Sequence, residues 1–231
     1  MKRIHAYLGV QSLVAILVSI NRLGTWTLGY VLPNQFLRWV DFNNMLVLPL
    51  ISVAASYLLK KTIEYDAPQR ESRSHIAWNL VFIVGLYFLA ASYGDHEVTN
   101  YLHQRFCAGD TASDLCRIVI FNDDEFSHWI FFTGFVMVNV AILFMQALFP
   151  HRGQLTRADY ALLALNALFL GAGVFANLGF EEIGLDLYVV ALLAGISTYL
   201  LWRRGRQPMF IYYTIAYWLG LAGSLIAQVL R

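Results

Sequence analysis

Three short runs of carboxylates and histidines carry the chain's capacity for chemistry. They are Asp95-His96-Glu97, Asp123-Asp124-Glu125-Phe126-Ser127-His128 and Glu181-Glu182-Ile183-Gly184-Leu185-Asp186. Residues three and four apart share a helix face. Asp124 with His128, and Glu125 with His128, are therefore pairs that could share a metal ion. Glu182 and Asp186 repeat the four-residue spacing. His96 and His103 are seven apart, about 10 Å along a helix axis. That is too far for one ion on a straight helix, so His103 is expected to be a surface or supporting residue. A zinc-type centre needs about three His, Cys or carboxylate ligands and an open position for water. The expected ligands are His96, His128, Glu125 and Glu182, with Asp124 as general base. The expected cofactor is a divalent metal, zinc or iron rather than calcium. Two other readings stay open: an all-oxygen calcium site from Asp123, Asp124, Glu125 and Glu181, and a solvated acidic surface with interfacial histidines. Part of the acid content is ordinary helix-start chemistry, because carboxylates suit the positive end of the helix dipole.

Other templates fit poorly. Glu125-x-x-His128 is the element of di-iron carboxylate bundles, but those use two copies and two further glutamates. His96-Glu97 is not followed by the second histidine of His-Glu-x-x-His. There is no Gly-x-Ser-x-Gly elbow, phosphate-cradling glycine loop or dinucleotide fingerprint. Ser127 and His128 are adjacent and point to different helix faces, so a serine nucleophile is not expected. Seven-span zinc amidases of the alkaline ceramidase and adiponectin-receptor type share the span number and a histidine–acid site. Their signature includes His-x-x-x-His on the last span, and Met209 to Leu230 holds no histidine. The likeness is one of topology alone and says nothing of function.

Seven apolar segments must position these residues: about 4–21, 42–59, 76–94, 128–149, 160–176, 184–202 and 208–230. Each is long enough, or nearly so, to cross a hydrocarbon core of roughly 30 Å. The chain is 58% hydrophobic and 13% charged. The expected fold is an all-α polytopic membrane bundle, a single domain over 1–231, because the connections leave no room for a soluble domain. A net charge of +1 lacks the basic face that nucleic acid requires. The opening Met1-Lys2-Arg3 and its apolar run lack a small-residue cleavage site, so the run is read as a retained span. Pro49 should kink the second span. The aromatic stretch 22–41 should lie at the membrane interface. Asn79, Asn139, Gln146, Asn166 and Gln228 are expected to bond between helices. Ala216, Gly220 and Ser224, at four-residue spacing, should pack inside the bundle.

Charge predicts the orientation. With the N-terminus inside, the inner segments hold Lys2, Arg3, Lys60, Lys61, Arg70, Arg73, Arg152, Arg157, Arg203, Arg204 and Arg206, eleven of the sixteen basic residues. Positive charge marks the cytoplasmic side. The C-terminus is then outside, as are the acidic runs. The only two cysteines, Cys107 and Cys116, share an outer loop and are expected to pair there. No span holds an ionisable residue near its middle, which argues against ion pumps, proton relays and voltage sensors. The leading expectation is an integral-membrane hydrolase in a bacterial-type inner (plasma) membrane, with a metal-assisted site at the outer boundary. Membrane lipid is the expected surrounding and a lipid-like molecule the expected substrate. The alternatives are a small transporter or sensor of an extracytoplasmic ligand or cation, or an accessory subunit of a membrane complex.

Overall fold

Local chemistry starts the helices where the sequence changes character. Ser72 accepts a hydrogen bond from the His75 amide at 3.2 Å, and Ser113 caps the Cys116 amide at 3.3 Å. Thr156 and Asp159 close a reciprocal capping box, which satisfies two orphan donors. Gly184 and Gly205, at φ of +82° and +81°, flank one helix where a side chain would be strained.

The computed structural model describes residues 1–65, 72–181 and 184–230. It is all-α, with seven helices long and apolar enough to cross a membrane. These are α1 (Lys2–Leu23), α2 (Trp39–Ile63), α3 (Arg73–Cys107), α4 (Asp114–Leu148), α5 (Arg157–Gly179), α6 (Leu185–Arg204) and α7 (Pro208–Leu230). The helices pack in a ring in the order α1, α2, α3, α4, α6, α7, α5 and back to α1. α4 and α7 are the most buried. Tyr213 and Tyr217 stack within the core, and Phe135 meets Tyr217 edge-on.

Small residues set the closest approaches. A Cβ at Gly171 would stand 2.9 Å from the Ala216 carbonyl, and one at Gly220 would stand 2.3 Å from Val174 Cγ1. The small-residue face of α7 is thus used inside the bundle, as its spacing predicts. The amides divide. Asn166 bonds across helices, accepting from Ser12 Oγ at 2.7 Å. Asn79, Asn139 and Gln146 instead donate to nearby main-chain carbonyls. Gln11 and Asn21, not singled out by the sequence, do bridge helices, to Ser52 and Ser56 and to Asn44.

Two ends can be told apart. At the N-terminal end Glu64 is buried against Lys60 Nζ at 2.7 Å and His75 Nε2 at 2.9 Å. Burial pushes its carboxyl up, but these two donors outweigh that and hold it below the ordinary glutamate value. At the opposite end Cys107 and Cys116 are bonded; it is called the disulfide end below. Among the described residues four π-helical turns all lie towards this end: Asn43–Val47, His103–Cys107, Asn122–Phe126 and Asn177–Glu181. The first explains Pro49. Proline has no amide hydrogen and its ring clashes with the carbonyl four residues back. The wide turn just before it, with Leu48 N–H bonded to the Asn43 carbonyl, absorbs that misfit.

Candidate metal centre at the disulfide end

α3 and α4 have 35 residues each, about 50 Å by helical rise, against a hydrocarbon core of roughly 30 Å. Their apolar parts end where the acidic runs begin. The two helices therefore continue past the membrane as a hairpin closed by Cys107 and Cys116. Gly85 and Gly134 fix their crossing. A Cβ on Gly134 would meet the Gly85 carbonyl and the Leu89 amide nitrogen at 2.8 Å. Nearer the tip, Ser92 Oγ donates to the Ser127 carbonyl at 2.8 Å.

The π turn at Asn122–Phe126 then decides which acid faces α3. Ser127 N–H bonds five residues back to Asn122. The extra residue turns Asp123 inward, where it is 1% exposed, and leaves Asp124 and Glu125 exposed. Asp123 receives two histidines of α3. His103 Nδ1 is 2.8 Å from Oδ2, and His96 Nδ1 is 3.1 Å from Oδ1. His96 Nδ1 also lies 3.3 Å from the Asp123 main-chain carbonyl, which can only accept. Its N–H aims there, so Oδ1 stays close to His96 but without an aligned donor. Asp95 Oδ2, also buried, likewise has no donor. The His128 ring packs edge-on against His96, with centroids 5.0 Å apart. His103 Nδ1 is 4.0 Å from Asp124 Oδ1. Ligand atoms of His103, Asp123 and Asp124 lie within 4.8 Å of one another.

A second polar layer surrounds this one. Arg22 of α1 reaches buried Glu97 at 2.6 Å. Arg38 forks onto buried Asp41 with two bonds of 2.7 Å and stacks over Tyr101. The 24–38 connection is not helical. It carries one antiparallel bridge, Tyr30 to Arg38, and Gln35 at φ +59°. The Gln35 carbonyl accepts from the Tyr101 hydroxyl at 2.6 Å and from Arg105, which ties the connection to α3.

The expected site residues thus fare differently. His96 and His128 come together. Asp124 lies beside them as a member of the candidate ligand group, not apart as a lone base. Glu125 is exposed and makes no ion pair with a described residue. Glu182 lies outside the described residues. His103, expected to stand apart, is hydrogen-bonded to Asp123, the residue that gathers the site. Two histidines about 10 Å apart along one axis cannot hold one ion from their own helix. They can reach one carboxylate presented between them by a neighbouring helix. One sequence signal does mark the π turn. Ile118, Phe121, Phe126 and Trp129 share an exposed face at spacings of three, five and three, and Phe121 stacks on Phe126. The five-residue step is the inserted residue.

Comparison with protein-family models, with curated proteins and with solved structures finds no match for this chain.

Proposed function

We propose that the protein is an integral-membrane, metal-dependent hydrolase whose centre lies at the disulfide end and acts on a lipid-like substrate. One observation carries this reading. A buried carboxylate, Asp123, is met by two histidines and still keeps an oxygen without a donor. Unpaired buried acceptors are costly, and a divalent cation removes that cost. His103, Asp123 and Asp124 supply three ligands, which suits a catalytic site with an open position. Bound metal would polarise the scissile bond and activate water. His96 and His128, beside the same carboxylate, are the nearest groups for proton transfer.

A lipid-like substrate fits the position of the centre. It sits where α3 and α4 leave the apolar layer, beside the exposed Ile118, Phe121 and Trp129. The orientation belongs to the same proposal: N-terminal end in the cytoplasm, disulfide end outside. The basic residues favour this, and a cysteine pair suits an oxidising compartment. A reporter active only outside the cytoplasm should work when fused after residue 231. Activity of a cytoplasm-only reporter there would reverse the orientation.

Metal content tests the central claim. Protein purified in detergent without added metal should carry close to one equivalent of zinc, iron or manganese. Chelation should remove the ion and abolish hydrolysis of a lipid-like substrate, and metal should restore it. Hydrolysis by fully metal-free protein would defeat the reading.

A further inference from the structure

We infer that the cavity at the N-terminal end is a binding site for an anionic phospholipid whose headgroup carries hydroxyl groups. This cavity, about 800 Å³, lies at the opposite end from His96, His103 and His128. Its size is within the usual range for small-molecule sites, about 300–1,000 Å³. It opens where α2 ends at Ile63, α4 at Leu148 and α6 at Arg204. That is the level at which a span meets the membrane surface.

Three kinds of wall define the occupant. Ile4, Ile63 and Phe149 form an apolar side that suits the upper part of acyl chains. Arg152 and Arg204 stand on the rim, both exposed and without an ion-pair partner among the described residues. Among the described residues the acids nearby are already used: Glu64 is paired with Lys60 and His75, and Asp159 with His5. The rim therefore keeps a positive charge, which calls for a phosphate. Gln146 also lines the cavity and is 1% exposed. Its amide donates to the Phe149 carbonyl at 2.9 Å, while its Oε1 has no donor. A buried acceptor of this kind calls for a hydroxyl. Apolar tail, phosphate and hydroxyl together describe a phosphatidylglycerol-like lipid. Basic pockets between spans are suited to anionic headgroups on general electrostatic grounds. The site shares no residue with the metal centre and does not depend on it.

The test uses the full chain in nanodiscs of equal phosphatidylglycerol and phosphatidylcholine, returned to mild detergent, with retained lipid identified by native mass spectrometry. Wild type should keep about one phosphatidylglycerol per chain and little phosphatidylcholine. The double variant R152Q/R204Q should bind roughly thirtyfold more weakly, at about fivefold for each arginine. R152K/R204K should keep the lipid, which separates lost charge from misfolding. Gln146→Leu should reduce the preference for phosphatidylglycerol over phosphatidic acid. Arg157→Gln, at the same end but outside the cavity, should change nothing. Equal retention of the two lipids by wild type, or unaltered retention by R152Q/R204Q, would overturn the inference. So would displacement of the lipid by soluble glycerol phosphate at similar concentration, since the site would then recognise phosphate alone.

Discussion

Asp123→Ala should empty the proposed metal centre while the bundle stays folded. The substitution removes a carboxylate that both His96 and His103 touch. It also takes away one of three candidate ligands. Even loss of a supporting partner typically costs about ten- to a hundredfold in metal affinity, so loss of a ligand should cost at least about a hundredfold. The expected readout is bound metal falling from near one equivalent to a trace, with hydrolysis lost in parallel. Stability should change little, by about 1–2 kcal/mol, because the imidazoles left behind can turn to water at this boundary. His103→Ala should be nearly as severe. Glu125→Gln should be mild, since Glu125 is exposed on the outer side of the π turn. This ranking is the reverse of what α-helical spacing alone predicts for His103 and Glu125. Full metal occupancy in the Asp123→Ala protein would remove the centre from the account, whatever its effect on activity.

The difference between those two rankings shows where the sequence stops being legible. The seven spans could be read from apolar runs, because a membrane demands long stretches without charge and the demand is written in composition. The cysteine pair and the bundle-internal face of α7 were legible for similar reasons, each needing only local residue types. That His96 and His128 come together at the end of the bundle that holds the acidic runs was legible. The register of the site was not legible. Pairing Asp124 or Glu125 with His128 assumes 3.6 residues per turn, and the turn at Asn122–Phe126 is wider. There the residue five before His128 comes inward, and that residue is Asp123. The choice between α and π turns depends on how α4 packs against α3, which is long-range information. The five-residue step between Phe121 and Phe126 records it, but only for a reader who already knows which face is outward. The reach of His103 to Asp123 depends likewise on two helices and not on one. The Arg22–Glu97 pair joins α1 to α3, so spacing within a helix could not announce it, whereas Arg38–Asp41 is three residues apart at the start of α2 and is open to such a reading.

Gly134→Val should damage the centre from a distance. The position is six residues from His128 and bears no chemistry of its own. A side chain there meets the Gly85 carbonyl and the Leu89 amide nitrogen at 2.8 Å, and backbone atoms cannot swing aside. The α3–α4 crossing must open. Overpacking of this kind typically costs about 1–3 kcal/mol, which for a chain of this size lowers Tm by roughly 2–12 °C. The opening also separates the helix that supplies His96 and His103 from the helix that supplies Asp123 and Asp124. Metal affinity should therefore fall together with Tm. Two controls isolate the cause. Gly220→Ala presses on Val174 across the α5–α7 contact and should lower Tm while leaving metal content intact. Gly195→Ala meets nothing within 4 Å in the middle of α6 and should leave Tm unchanged or raised by the helix preference of alanine, about 0.5–1 kcal/mol. If Gly134→Val lowers Tm yet keeps a full equivalent of metal, the crossing does not position the centre. The ligands would then have to be held by the hairpin tip alone, through Cys107–Cys116 and the two π turns beside it.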